Sequence, residues 1–172
     1  MDYKFKIIII GDPGVGKTSI VKKFVSGKFI FEYRASIGTN IYTKKITISS
    51  GDSVILQLFD IAGQERWSRM RPLYYKGSSG ALIVGDLTRK KTFEQIVNFW
   101  YPDLINNYKK IPNILIANKS DLENEISEDC LLQLSKSINS ETYFITSAKE
   151  GENIEKSFIF LAETIIHQNK KW

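Results

Sequence analysis

The chain has 172 residues, 42% hydrophobic and 25% charged, the size and make-up of one ordinary soluble domain. Lysine and arginine outnumber aspartate and glutamate by 24 to 19, and this +5 excess is too small and too spread out for a nucleic-acid footprint. The single cysteine, Cys130, excludes an internal disulfide, and no segment approaches the ~20 apolar residues of a membrane span.

In chain order, "YKFKIIII" alternates and then turns wholly apolar, as a strand does on entering the middle of a sheet. The glycine-rich stretch "GDPGVGKTS" follows, then a helix with Ile20, Val21, Phe24 and Val25 on one face and Gly27 as its stop. "IYTKKITIS" and "SVILQLFD" flank "SGD" and predict a hairpin. "ALIVGD", "NILIAN" and "TYFIT" predict short strands buried on both faces.

Helices separate these last strands. Thr92 and Gln95 stand at capping-box spacing ahead of Phe93, Ile96, Val97, Trp100 and Leu104, and Pro102 should kink or interrupt that helix. Ser127 caps another helix with acidic residues in its first turn. Ile154, Phe158, Leu161 and Ile165 mark the last. Strands alternating with helices imply a mostly parallel sheet covered on both sides, with its sites at the carboxyl ends of the strands.

Gly11, Gly16, Lys17 and Thr18 satisfy G-x-x-x-x-G-K-[ST] between a strand and a helix. Glycines let backbone N–H groups curl around phosphate oxygens, and the following helix adds its positive N-terminus. The Lys17 ammonium suits β- and γ-phosphates, and the Thr18 hydroxyl is a hard ligand for Mg²⁺. The four fixed positions coincide by chance in roughly 0.6% of chains this long, so a plain strand–helix connector is the weaker explanation. "NKSD", residues 118 to 121, follows the strand "NILIA" directly. Alone it reads equally as a polar turn. After a phosphate loop it reads as a base-recognition loop, because the Asp121 carboxylate can accept from guanine N1–H and its 2-amino group together. Adenine has neither donor and leaves the carboxylate unmatched.

With "ASIGTN", "DIAGQERW" and "SAK" added, these motifs resemble, in order and spacing, a small GTPase of the Ras superfamily. The likeness runs from residue 3 to about 168 and is greatest to the Rab branch, through "SIGTNI" and "QERWSRMRPLYYKGSSG". It implies one G domain over residues 1–172 with the α/β fold of P-loop NTPases: three layers, a six-stranded mostly parallel sheet and helices on both faces. The implied activity is slow GTP hydrolysis to GDP and phosphate with Mg²⁺.

The resemblance also implies the site. Asp12, Gly14, Val15, Gly16, Lys17, Thr18 and Ser19 would surround the phosphates. Thr18 and Ser36 would ligate Mg²⁺, with Asp60 reaching it through water. Gly63 would give its N–H to the γ-phosphate, and Gln64, aided by Lys17 and Ser36, would orient the attacking water. Asn118, Lys119 and Asp121 would hold guanine, helped by Ser147, the Ala148 N–H, Lys149 and the ring of Phe29. Residues 29–40 and 61–76 correspond to two switch segments read by an activating protein, an exchange factor and effectors; the expected state is a monomer.

Departures from the family bear on mechanism. Ser36 replaces the usual threonine and leaves its hydroxyl freer to rotate. Pro13 replaces glycine or a small polar residue, either crowding Gln64 or stiffening the loop. Ile41, Phe59 and Tyr74 replace a Phe-Trp-Tyr partner cluster. Arg34 is offset from the place of a built-in arginine finger, which Tyr33 occupies, so acceleration by a partner's arginine is expected. Trp67 and Tyr75 read as partner contacts or as packing of the second switch. Two other functions compete: an adaptor that barely hydrolyses, and an ATP-using kinase of small metabolites, for which no arginine-rich lid is seen. The chain carries neither a myristoylation glycine at position 2 nor a terminal cysteine box. It is therefore expected to be cytoplasmic, and at a membrane only through a lipidated tail outside these residues.

Overall fold

The computed structural model describes residues 2–27, 38–124 and 126–170, with Asp2, Arg66 and Trp67 described by main chain only. Six strands form one sheet in the order β2-β3-β1-β4-β5-β6: β1 Asp2–Ile10, β2 Thr39–Thr47, β3 Ser53–Ile61, β4 Gly80–Asp86, β5 Asn113–Asn118 and β6 Tyr143–Thr146. Among the described strands, the β2–β3 hairpin is the antiparallel pair. The remaining pairs are parallel, as crossover connections allow.

Alternation along β1 divides the core. Ile7 and Ile9 face α1 (Lys17–Ser26) and α6 (Ile154–Asn169), where the Phe24 and Phe158 rings stack with centroids 3.9 Å apart. Ile8 and Ile10 face the opposite layer: α2 (Arg71–Tyr75), α3 (Lys90–Gln95), α4 (Tyr101–Asn107) and α5 (Glu128–Ser137). The implied three-layer architecture is therefore the one observed. β4 and β5 are buried throughout, but Tyr143, Phe144 and Ile145 of β6 are only half-buried, because β6 is the sheet's edge.

Local chemistry explains most boundaries. Gly27 ends α1 in a left-handed conformation, its N–H donating to Lys23 O at 2.8 Å. The Ser127 hydroxyl accepts from the Cys130 N–H, with Glu128 and Asp129 in the first turn of α5. The capping box at Thr92 is not formed. The helix starts two residues earlier, and the Thr92 hydroxyl donates to Arg89 O and accepts from the Asp86 N–H, fastening α3 to the end of β4.

Pro102 does disturb its helix. A π turn, Ile96–Trp100, joins α3 to α4, with the Tyr101 N–H reaching back five residues to Ile96 O. Proline tolerates the start of α4 because its missing N–H is not needed there.

Candidate functional site

Register places the chemistry along one edge of the sheet. Asp60 lies beside Ile9, the penultimate residue of β1, while Asp86, Asn118 and Thr146 are paired neighbours at the ends of β4, β5 and β6. All four polar residues are fully buried or nearly so, so each must find a partner or a ligand.

The phosphate loop wraps around Lys17. Its ammonium is buried and donates to Gly11 O at 2.7 Å and Asp12 O at 2.8 Å. Burial pushes its pKa down to about 8, against the opposing pull of Asp60 and Asp12. The Thr18 hydroxyl donates to Asp60 Oδ2 at 2.5 Å. A hydroxyl and a carboxylate, both hard oxygens beside the buried Lys17 ammonium, fit Mg²⁺ on a polyphosphate. Ser36, Phe29 and Arg34 lie outside the described residues.

Two glycines make the cradle. A Cβ on Gly63 would sit 2.6 Å from Gly11 O and 2.7 Å from Pro13 N, so Gly63 rests directly on the loop. Gly16 has φ 102, and a Cβ there would meet Asn118 Nδ2 at 2.3 Å. Gly16→Ala is therefore expected to lower the unfolding free energy by about 2–3 kcal/mol, from backbone strain and the displaced Asn118 amide, as urea denaturation will measure.

Asn118 joins the two halves of the site. Its Nδ2 donates to Val15 O in the phosphate loop at 3.0 Å. Its Oδ1 accepts from the Thr146 hydroxyl at 3.0 Å and from the Ala148 N–H at 3.2 Å. The Ala148 N–H, expected against the base, thus serves Asn118. The Ser147 hydroxyl donates to Asp121 Oδ1 at 2.6 Å and accepts from the Glu150 N–H at 3.0 Å. Asp121 is exposed, so the burial cost expected for an unmatched carboxylate does not apply before a base covers it. Lys149 is exposed, and Gln64 is half-buried at the start of a 3₁₀ turn, Glu65–Met70.

Lys119 has a left-handed backbone, φ 73, a conformation non-glycine residues adopt at a cost of about 1–3 kcal/mol. Its ammonium is held 2.7 Å from Asp86 Oδ2. Burial opposes ionisation of Asp86, but hydrogen bonds from Lys119, Thr88 and Arg89 outweigh it and hold the carboxyl below its ordinary value. Arg89 reaches onward, its Nε to Asp86 at 2.9 Å and its Nη2 to Pro13 O at 3.1 Å.

Sequence reasoning missed Asp86, Arg89, Thr146 and Trp100, whose indole donates to Asp12 Oδ1 at 2.7 Å. The available signals were an aspartate ending an apolar strand and a tryptophan on an apolar helix face, whose N–H needs an acceptor once buried. Tyr75 packs rather than docks: it is fully buried and its hydroxyl donates to Asp103 at 2.6 Å. The side chain of Trp67 lies outside the described residues.

Residues 6–167 match the Ras family. The chain is 41% identical to the human Ras-related protein Rab-32, over 98% of this chain and 78% of that protein. It is 40% identical to Ras-related protein Rab-32A of Dictyostelium discoideum, over 96% and 79%. Identity to the Ypt/Rab-type GTPase YPT7 of Saccharomyces cerevisiae is 33%, over 96% and 83%. Matches of this length set aside the metabolite kinase. By these matches the chain belongs to the Ras family and is a Rab-like GTPase, a GTP-binding switch of membrane trafficking that hydrolyses GTP to GDP.

Proposed function

We propose that the nucleotide lies across the strand ends with its phosphates in residues 11–19 and its guanine between residues 118–121 and 147–149. The Asn118 amide bond to Val15 O carries this reading, because it fixes the spacing between an anion cradle and a base loop. Thr18, and Asp60 through water, are the described residues that would hold Mg²⁺, and Ser36 is the further ligand proposed from outside them. Bound there, Mg²⁺ neutralises charge on the β- and γ-phosphates.

The chain's own residues do the rest. Lys17 supplies a buried positive charge, worth more than a solvated one as charge develops during transfer. Gly63, resting against the loop, would give its N–H to the γ-phosphate, and Gln64 after it would orient the attacking water. Hydrolysis removes the group that Ser36 and Gly63 hold, which frees residues 29–40 and 61–76 for partners that read their shape. Ile41, Met70 and Leu73, in or next to these segments, are exposed apolar residues, with Ile41 paired across the hairpin from Phe59. An activating protein, an exchange factor and effectors would dock there.

The direct test is the nucleotide that copurifies, followed by phosphate release from a stoichiometric GTP complex with Mg²⁺. GDP or GTP is expected, with slow release. In the same assay, Gln64→Leu should slow single-turnover hydrolysis about a hundredfold, the loss typical of a misplaced reactant. A rate within twofold of wild type would remove Gln64 from the mechanism.

A further inference from the structure

Trp100 is the largest fully buried side chain of the described residues, at 1% exposure. Its indole N–H nevertheless reaches the phosphate loop 88 residues upstream, donating to Asp12 Oδ1 at 2.7 Å. A simple apolar role on the helix face predicts no such contact.

The surroundings aim the ring. Trp100 closes the π turn, where the extra residue per turn changes the helix register just before Pro102. Phe99 meets the indole edge-on, with centroids 5.1 Å apart and planes at 82°. The guanidinium of Arg71, from the helix of the second switch, lies 5.3 Å from the indole centroid. Arg71 is in turn held by Asp103 at 3.0 Å, an ion pair with side chains only 5% and 17% exposed, and Tyr75 donates to the same carboxylate oxygen.

Asp12 matters because of what its backbone does. Its carbonyl accepts from Lys17, and the next carbonyl, of Pro13, accepts from Arg89. A side-chain bond from Trp100 pins this peptide from a third direction. Loops that must aim several N–H groups at one anion bind faster-released ligands when they are free to relax, so prior fixing favours retention.

We propose that Trp100 is a positioning residue for nucleotide retention: its indole N–H, held by the π turn and by Arg71 of the second switch, fixes Asp12 and with it the phosphate loop. This rests on the nucleotide reading above. The experiment measures release of fluorescently labelled GDP from the full chain with Mg²⁺. It compares wild type, Trp100→Phe, Asp12→Ala, Asp12→Asn and the Trp100→Phe/Asp12→Ala double variant.

Trp100→Phe keeps a ring but loses the donor, and should speed release about tenfold, the worth of one hydrogen bond to a charged group. Asp12→Ala should do about the same, and Asp12→Asn, which keeps the accepting oxygen, should do less. The double variant should be no more than twofold faster than either single one, since both remove the same bond. Multiplying factors would mean that Trp100 acts by general core loosening, and would overturn the proposal, as would Trp100→Phe releasing at the wild-type rate. If Trp100→Phe does not fold, the partly exposed Asp12 decides: equal rates for its alanine and asparagine variants overturn the proposal. Wild-type protein that takes up no labelled GDP overturns the underlying site reading as well, whereas normal uptake with unaltered variants overturns this inference alone.

Discussion

Asp121→Ala is expected to weaken GDP and GTP binding about 10³-fold and to erase most of the preference over ADP and ATP. Two hydrogen bonds from guanine to an ionised carboxylate are worth about 1.5–3 kcal/mol each, or 3–6 kcal/mol together. The centre of that range is about a thousandfold. A tenfold larger figure would need a carboxylate already buried, but Asp121 is exposed and water compensates an unmatched base in part.

What makes the carboxylate effective is its fixed direction. Ser147, fully buried, donates to Asp121 Oδ1 while its own oxygen is held by the Glu150 N–H. Ser147→Ala should therefore give a smaller loss in the same sense. Calorimetry with GDP and ADP on the emptied protein provides the measurement. An Asp121→Ala affinity within tenfold of wild type, or an unchanged preference for guanine, would show that the base is read elsewhere.

The layered fold was readable because its signals are local. Four isoleucines running into a glycine loop, a hairpin around "SGD" and serine before a pair of acids each reflect physics within a few residues. The errors came where a local pattern met a tertiary demand. Thr92 has capping-box spacing, yet its hydroxyl is used on the end of β4 instead. "TYFIT" is apolar enough for a central strand, yet it closes the sheet at an edge, and no composition rule distinguishes the two.

At the site, the structure links several residues named from motifs: Thr18 with Asp60, Asn118 with Val15 and Ala148, and Ser147 with Asp121. The supporting links were not legible. Trp100 to Asp12 spans 88 residues and Arg89 to Pro13 spans 76, and pairs that distant leave no periodic trace in one chain. Asp86 was visible only as a charge ending an apolar strand. Its meaning arises because register sets it beside Asn118, within reach of Lys119.

Raising pH should have opposite effects on nucleotide affinity and on the stability of the emptied protein, because both depend on Lys17. Its folded-state pKa is about 8 where an unfolded lysine has 10.5, with burial as the main cause. Between those values the unfolded chain carries a proton that the folded chain does not, so unfolding takes up protons and stability rises with pH. The gain is at most about 3 kcal/mol across this window, and below pH 8 the cost of the buried ammonium is present in full. Phosphates require that same ammonium. Affinity for GDP should therefore fall above pH 8, by up to about tenfold per pH unit until the pKa of the complex is reached.

Guanine N1–H begins to ionise in an overlapping range, so the informative quantity is the difference between wild type and Lys17→Met. The variant should bind GDP at least about a hundredfold more weakly at pH 7, as expected for a lost buried charge pair. Its stability should lack the Lys17 part of the rise, and its affinity ratio to wild type should narrow as pH climbs from 7.5 to 9.5. Urea unfolding of the emptied proteins and calorimetry across that range read the two halves separately. A ratio that stays constant would mean that Lys17 keeps its proton throughout, and that its charge is held by Asp60 and Asp12 more firmly than its burial opposes it.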